Sequence, residues 1–246
     1  MAVGDFGVGG SGEREIGTAM RRYERDHPAD VLVTLGDNDY TENPTAFRRN
    51  WRDAFGWRSD AGLGVAGALG NHDVRVRRGR YEFDTLNMPA ARYRRSLGNV
   101  DLFMLNSNGV NDSQTTWLET ALKASTAQWK IAVLHHPAWT CGEYRSHPGV
   151  VARWVPLFEQ YGVDLVLSGH DHNYQRFASR NGVRYVVHGG GNTRLYPIEP
   201  CPAGYPTRRF ARAARGFLFV RARDTVLRVK SVNLRGRVID DLSIYP

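Results

Sequence analysis

Short apolar runs alternate with amphipathic segments along most of the chain. Each apolar run ends in glycine or polar residues, which predicts buried β-strands over residues 31–36, 64–70, 100–106, 130–136, 163–169 and 183–191. The amphipathic segments carry apolar residues at helical spacing, which predicts helices over residues 11–26, 45–56, 113–127 and 149–161. Ser113 is the predicted N-cap of the third helix. This alternation of strands and helices indicates an α/β fold.

The C-terminal part follows a different pattern. Three apolar-rich stretches, residues 216–223, 225–233 and 237–245, follow one another with short turns and no helix between them. This arrangement predicts an antiparallel close to the fold. Because no linker, repeat or low-complexity segment interrupts the sequence, we expect a single domain that spans residues 1–246.

The charge of the chain favours anionic partners. Lysine and arginine together number 33 and aspartate and glutamate 25, so the formal net charge is +8 with histidine neutral. Nearly all of the basic residues are arginines, and they are scattered along the sequence rather than gathered in one run. This distribution indicates a solvated basic surface that attracts small anions such as phosphate esters, and we expect no dedicated nucleic-acid interface.

The two cysteines and the lack of long apolar runs bear on the compartment. No apolar run reaches the roughly 18 to 20 residues that span a bilayer, so no membrane partner is expected. The N-terminal stretch lacks the basic and apolar regions of a signal peptide. Cys141 and Cys201 lie in loop-like sequence, which favours a disulfide over two buried thiols. Such a bond indicates an oxidising compartment, and we expect a secreted or periplasmic location.

Polar residues of metal-binding type follow five of the predicted strands. They are Asp5, Asp37, Tyr40, Asn71, His72, His135, His136, His170 and His172. Ligand and catalytic groups of α/β sheets gather at the carboxyl ends of strands, and buried carboxylates or imidazoles are costly unless paired or bound to metal. The set therefore predicts a metal site at this edge, although His170 and His172 alone would indicate only a solvated loop.

The chemistry of these side chains suits two metal ions. Carboxylate, carboxamide and imidazole groups are ligands for iron, zinc and manganese, and a pair of ions needs one bridging ligand. Asp37 is the predicted bridge. His170 and His172 are predicted to serve different ions from an extended turn, whose alternate residues project to the same side.

Five short motifs carry a family resemblance. They are GDFG (4–7), GDNDY (36–40), GNHD (70–73), AVLH (132–135) and GHDH (169–172), and in this order they resemble the motifs of the calcineurin-like metallophosphoesterases. Tyr40 in the second motif narrows the resemblance to the compact, tartrate-resistant type of purple acid phosphatase. Family members that cleave phosphodiesters or act on proteins commonly have histidine two residues after the first aspartate, where this chain has Gly7.

The resemblance implies a fold and a ligand set. The implied fold is a four-layer α-β-β-α sandwich, although Met1–Gly4 forms a shortened N-terminal strand for it. The implied cofactors are two metal ions, iron with a second iron, zinc or manganese. One would bind Asp5, Asp37, Tyr40 and His172, and the other Asp37, Asn71, His135 and His170.

The resemblance also implies a reaction. A metal-bound hydroxide would attack a small phosphate monoester in line with the leaving group. Asn71 and His72 would contact the substrate, with His72 also assisting the leaving group. His147 matches a second catalytic and substrate histidine of the family if a few extra residues are allowed. We expect His136 to point away from its neighbour His135 and to play a supporting role.

Two alternatives remain open on the same motifs. A phosphodiesterase or nucleotide-cleaving enzyme could use the same metal site. A basic, non-catalytic anion-binding module could keep the fold, although it would be expected to lose ligands, and none is missing from the motifs. Asp73 and Asp171 lie inside motifs and are predicted to orient imidazoles rather than to bind metal. The physiological substrate and the oligomeric state stay undetermined by the sequence.

Overall fold

The computed structural model describes residues 1–246 as two β-sheets packed face to face between helices. The strands are β1 (Ala2–Val3), β2 (Val31–Leu35), β3 (Gly64–Ala68), β4 (Tyr93–Leu97), β5 (Val100–Met104), β6 (Trp129–Val133), β7 (Leu165–Ser168), β8 (Tyr174–Phe177), β9 (Arg184–His188), β10 (Arg208–Arg212), β11 (Gly216–Arg223), β12 (Val226–Asn233) and β13 (Val238–Ile244). The α-helices are α1 (Gly10–Asp26), α2 (Pro44–Phe55), α3 (Trp57–Asp60), α4 (Arg80–Leu86), α5 (Asp112–Lys123) and α6 (Val155–Gln160).

The strand order places parallel strands in the middle of each sheet. The first sheet has the order β13-β12-β11-β1-β2-β3, in which β1, β2 and β3 are parallel and β11 to β13 form the predicted antiparallel close. The second sheet has the order β10-β8-β9-β7-β6-β5-β4, in which β5, β6, β7 and β9 are parallel. The parallel strands of both sheets therefore bring a set of loops to their carboxyl ends.

Alternate residues of the central strands serve two separate hydrophobic cores. In β6, Ile131 and Val133 pack in the core between the two sheets, whereas Ala132 packs in the core beneath α5 and α6. This two-sided burial explains why the parallel strands are continuous apolar runs rather than alternating ones. On the other side of the molecule, Tyr23 of α1 contacts Phe217 of β11 with ring centroids 5.5 Å apart. The predicted four-layer sandwich is confirmed.

Several details differ from the sequence-based prediction. The N-cap of α5 is Asn111, whose side chain accepts a hydrogen bond from the backbone of Gln114, and Ser113 is the second residue of the helix. The predicted helix over 149–161 begins as a π-helix (Val150–Trp154) and continues as α6. Strands β4, β8 and β10 were not predicted, because β4 and β10 are edge strands rich in arginine and β8 is a short polar segment.

The two cysteines form the predicted disulfide. Cys141, in the loop after β6, bonds to Cys201, in the loop after β9, with the two Cα atoms 4.9 Å apart. The sequence separation is 60 residues, for which the chain-entropy relation gives about 4 kcal/mol of stabilisation. The bond ties together two long loops that flank the strand-end motifs. No helix has both the length and the apolar character needed to cross a membrane.

Helix α4 contains a buried carboxyl group. Glu82 of α4 is fully buried, and neither of its side-chain oxygens has a hydrogen-bond partner. Burial raises the pKa of Glu82 to about 9, and the charges of Asp73 and Asp39 add to this shift. Glu82 therefore holds a proton in the folded protein at neutral pH, whereas an unfolded chain releases it.

We expect Glu82→Gln to flatten the alkaline side of the stability profile. The unfolded carboxyl ionises near pH 4.5 and the folded one near pH 9, so folding takes up a proton between these values and the free energy of unfolding falls as the pH rises. Glutamine removes this loss, which we place at roughly 1 to 3 kcal/mol between pH 6 and pH 9. Urea unfolding at pH 6 and at pH 9 measures the free energy of unfolding at each pH. Exposed Glu119→Gln is the control, and equal pH slopes for wild type and Glu82→Gln would contradict the assignment.

Candidate metal centre

Five loops converge where the carboxyl ends of the two sets of parallel strands meet. Asp5 follows β1, Asp37 follows β2 and Asn71 follows β3 in the first sheet. His135 follows β6, and the segment that contains His170 and His172 follows β7, in the second sheet. These are six of the seven predicted metal ligands. The seventh, Tyr40, lies in the same loop as Asp37. The structure brings the whole predicted set to one edge.

Tight backbone turns allow the loops to approach one another. Asp5, Asp37 and His170 adopt left-handed conformations with φ of 61°, 51° and 70°. A side chain in place of Gly169 would clash with the Asp5 carboxylate and the Leu35 carbonyl, so the glycine of GHDH is required for close packing. The predicted extended turn at residues 170–172 is wrong, because the left-handed His170 turns the two imidazoles toward different groups of residues.

The first group, which we call the Tyr40 cluster, consists of Asp5, Tyr40 and His172. His172 Nδ1 donates a hydrogen bond to the Arg194 carbonyl at 2.8 Å, so its Nε2 carries a lone pair. That Nε2 lies 3.2 Å from the Tyr40 hydroxyl and 3.4 Å from Asp5 Oδ1. The Tyr40 hydroxyl is also 3.5 Å from Asp5 Oδ1. Oxygen and nitrogen ligand atoms thus face a common point.

The second group, the His135 cluster, consists of Asn71, His135 and His170. His135 Nδ1 donates to the Leu35 carbonyl at 2.9 Å, which turns Nε2 toward the other members of the cluster. That Nε2 lies 3.1 Å from Asn71 Oδ1 and 3.2 Å from His170 Nδ1. Burial, together with the charge of neighbouring His135, lowers the pKa of His170 to about 2, so His170 is neutral and able to bind a metal.

Asp37 lies between the two clusters. Ligand atoms of Asp5, Asp37 and His135 all lie within 4.8 Å of one another, and all three residues are buried. Burial alone would raise the pKa of Asp37, but His135 and the backbone N–H of His72, 2.9 Å from Oδ1, hold it below its usual value. Burial opposes protonation of His135, yet Asp37 raises its pKa to about 9. Asp37 is thus placed to contact both clusters.

The donor set fits a pair of cations. Backbone carbonyls fix both His135 and His172 with Nε2 turned toward carboxylates, so the buried ligand atoms are satisfied only when a proton on His135 or a bound cation lies among them. Burial and the charges of Asp5 and Asp37 raise the pKa of Tyr40 above its ordinary value, so only a bound cation would favour the phenolate. Oxygen and imidazole ligands without thiolates match iron, zinc or manganese.

The family of the chain follows from a comparison with known families. A family model described as calcineurin-like phosphoesterase matches residues 1–174, which include all five strand-end motifs. The chain belongs to the calcineurin-like phosphoesterase family. Its enzyme class is that of hydrolases acting on phosphoric ester bonds, and the family's metal centre is binuclear.

Curated relatives of this phosphoesterase include acid phosphatases. Tartrate-resistant acid phosphatase type 5 of Rattus norvegicus is 29% identical over 235 residues, which cover 78% of this chain and 72% of the relative. Purple acid phosphatase 7 of Arabidopsis thaliana is 25% identical over 228 residues, which cover 78% of this chain and 69% of the relative. The resemblance to purple acid phosphatases is confirmed.

Solved structures with the same fold include a purple acid phosphatase and an anchor protein. Purple acid phosphatase PPD1 of yellow lupin superimposes with a TM-score of 0.83 at 17% identity, covering 99% of this chain and 53% of that one. GAP50, the anchor in the inner membrane complex of Plasmodium, superimposes with a TM-score of 0.87 at 16% identity, covering 99% of this chain and 87% of that one. Likeness at these identities shows the fold alone.

The predicted substrate histidines lie at different distances from the clusters. The His72 ring is half-buried against the Tyr40 ring, with centroids 4.3 Å apart, and burial lowers its pKa. His147 lies farther out: its Nδ1 accepts a hydrogen bond from the Val150 backbone, and its ring is 5.4 Å from that of His136. His136 therefore stands between His147 and the His135 cluster.

His136 is a site residue whose orientation sequence reasoning predicted wrongly. The expectation that it points away from His135 is wrong, because a ring nitrogen of His136 lies within 4.8 Å of ligand nitrogens of His135 and His170. Its ring is 4.5 Å from the His170 ring, centroid to centroid. Adjacent residues diverge only while the strand continues, and β6 ends at Val133. The sequence signal for a partner of His136 was Ser107, a polar residue that follows the neighbouring strand β5.

Asp73 and Asp171 support loops rather than imidazoles, contrary to prediction. Asp73 accepts hydrogen bonds from the backbone of Asn38, Asp39 and Gly70, and so joins the second and third motifs. Asp171 accepts from the Thr140 hydroxyl and from the Glu143 backbone, and so anchors the disulfide-bonded loop. Both carboxylates already accept hydrogen bonds from backbone and hydroxyl donors, which explains why they do not orient the histidine rings.

Two tyrosines from the disulfide-linked loops cover the outer histidines. Tyr144 stacks on His170 with centroids 4.1 Å apart, and Tyr196 stacks on His172 with centroids 4.0 Å apart. The two tyrosine rings also contact each other edge to face at 5.5 Å. The disulfide between Cys141 and Cys201 thus holds the rim of the centre.

We expect Asp37→Asn to retain about one metal ion fewer per chain than the wild type, because the amide bears no charge to share between two cations. Metal-free protein incubated with Zn²⁺ or Mn²⁺, passed through gel filtration and analysed by mass spectrometry gives the stoichiometry. The metal-dependent rise in melting temperature should shrink in parallel. The exposed Asp53→Asn variant is the control. Full retention of both ions by Asp37→Asn would show that Asp37 is not shared.

Proposed function

We propose that this phosphoesterase is a binuclear-metal phosphatase of the purple acid type that hydrolyses small phosphate monoesters. The observation that carries the proposal is the Tyr40 phenol, which faces His172 and Asp5 within one cluster. Gly7 supports the same reading, since a side chain at this position would clash with the Asn38 backbone and a histidine there has no room. The acid phosphatases among the curated relatives support it as well.

In this proposal the two ions take the ligand sets that the motifs imply. Asp37 is shared, the Tyr40 cluster supplies the remaining ligands of one ion, and the His135 cluster supplies those of the other. Iron with a second iron, zinc or manganese suits these donors. When bound, the ions would neutralise phosphate oxygens and lower the pKa of a coordinated water toward about 7.

The side chains around the ions would bind the ester and handle its protons. Asn71 reaches the rim of the His135 cluster, where its amide N–H₂ can donate to a phosphate oxygen while Oδ1 faces His135. His72 stands beside Tyr40 at the mouth and would donate to the leaving oxygen, which gains negative charge as the ester bond breaks. His147 is a second proposed contact, with the part of the substrate that extends beyond His136.

The proposed compartment is extracytoplasmic. The disulfide between Cys141 and Cys201 supports it, because such bonds persist in oxidising environments and are rare in a reducing cytosol. The basic balance of the chain would attract anionic esters to any part of its surface.

We expect the metal-loaded protein to hydrolyse para-nitrophenyl phosphate with a kcat/KM at least about tenfold above that for bis-para-nitrophenyl phosphate, because a dianion gains more from two cations. His72→Asn should lower kcat by about 10² or more, with His27→Asn as the control. Equal rates on both esters would favour a phosphodiesterase. No hydrolysis by protein with two bound ions would favour the non-catalytic anion-binding module.

We expect ferric wild-type protein to be purple and Tyr40→Phe to be colourless. A phenolate bound to ferric iron gives a visible charge-transfer band, and phenylalanine cannot supply the oxygen. Visible spectra combined with iron analysis measure this. His27→Phe, at a half-buried histidine outside both clusters, is the spectral control. A wild-type protein that binds ferric iron without the band, or a Tyr40→Phe variant that keeps it, would exclude the purple phosphatase type.

A further inference from the structure

A hydrogen-bonded pair outside the two ligand clusters, Ser107 and His136, faces the same centre. Ser107 follows β5 and His136 follows β6, and the two strands are parallel neighbours. His136 Nδ1 lies 2.9 Å from Ser107 Oγ, and the backbone N–H of His136 donates to the same oxygen at 2.9 Å. Ser107 is fully buried. The serine thus holds both the backbone and the ring of His136.

The hydrogen bonds that Ser107 accepts and donates determine which tautomer His136 adopts. Ser107 Oγ already accepts the backbone N–H, and its own hydrogen needs an acceptor because the hydroxyl is buried. The Nδ1 atom of His136 is that acceptor, since the hydroxyl has no other partner. Nδ1 therefore carries the lone pair and Nε2 carries the hydrogen. The opposite tautomer would leave the serine hydrogen buried without a partner.

The orientation of the His136 ring is fixed by its neighbours. The ring packs between His170 and His147, with centroids 4.5 and 5.4 Å away. Because Ser107 occupies Nδ1, Nε2 is the nitrogen left to serve the centre, and His135 and His170 lie within reach of the ring. A histidine with its hydrogen on Nε2 has no lone pair there for a metal. It is a neutral hydrogen-bond donor beside the ligand atoms.

We propose that His136 is a substrate-binding residue that donates a hydrogen bond from Nε2 to a phosphate oxygen, and that Ser107 is its positioning residue. The inference rests on the proposed phosphatase function and adds a donor to those proposed for Asn71 and His72. A donor fixed in advance stabilises phosphate charge without reorganisation as the ester bond breaks. The pair adds specificity for an oxyanion next to the His135 cluster.

Inorganic phosphate is the probe that tests this role without requiring turnover. Isothermal titration of Zn²⁺-loaded protein with phosphate should show about 10²-fold weaker binding for His136→Phe, which keeps ring packing and loses the donor, with metal content unchanged. Ser107→Ala should weaken binding about tenfold, because the ring and tautomer are no longer fixed. Buried Ser231→Ala and half-buried His27→Phe, both outside the centre, are the matched controls. Para-nitrophenyl phosphate kinetics should show the same ranking.

A spectroscopic measurement separates positioning from general structural support. Two-bond ¹H–¹⁵N spectra of Zn²⁺-loaded protein should show His136 as a single tautomer with the hydrogen on Nε2, and a mixture in Ser107→Ala. Unchanged phosphate affinity in His136→Phe would overturn the inference, as would loss of one metal ion, which would make His136 a ligand. Wild-type protein that binds two ions and phosphate without hydrolysis would instead refute the phosphatase proposal, while the affinities of the variants still decide the role of His136.

Discussion

Asp5, Asp37, His135 and His172 bury oxygen and nitrogen lone pairs against one another, and the carbonyl groups of Leu35 and Arg194 prevent the two imidazoles from turning away. Such an arrangement raises the energy of the folded chain unless a proton on His135 or bound cations lie among the ligand atoms. Much of the surrounding structure is arranged to hold these atoms together. The glycines of the motifs permit the close approach of loops, Asp73 links two of those loops, and the disulfide secures a third.

The position of this centre follows from the way the sheets are built. Parallel strands β1 to β3 and β5 to β7 end at the same edge of the sandwich, so each sheet supplies about half of the candidate ligands. Carboxylates, the phenol and the carboxamide come from the first sheet, and imidazoles come from the second. Asp37 lies at the boundary and contacts ligands of both kinds. A shift of one sheet against the other would therefore separate the two halves of the centre, which gives the inter-sheet core a functional role as well as a stabilising one.

Sequence reasoning predicted the fold and the gathering of the candidate ligands at one edge, because both depend on local patterns. Continuous apolar runs that end in glycine marked the parallel strands, and motif order marked the residues at their ends. It missed edge strands such as β10, whose alternating arginines resemble a loop, and it missed the N-cap of α5 because Asn111 and Ser113 are both good capping residues. The role of His136 depends on Ser107, a contact between distant segments that no local pattern contains.

The same fold occurs in a purple acid phosphatase and in a protein that serves as an anchor, so the sandwich itself does not select catalysis over binding. Individual side chains make that selection. A chain that had only to hold the fold would gain stability by replacing buried, mutually repelling ligands with apolar residues. This chain instead keeps Asp5, Asp37 and both carbonyl-fixed imidazoles fully buried, and adds a hydroxyl-held histidine beside them. That arrangement fits the proposed centre, in which cations would satisfy the lone pairs and an oxyanion would satisfy the donor.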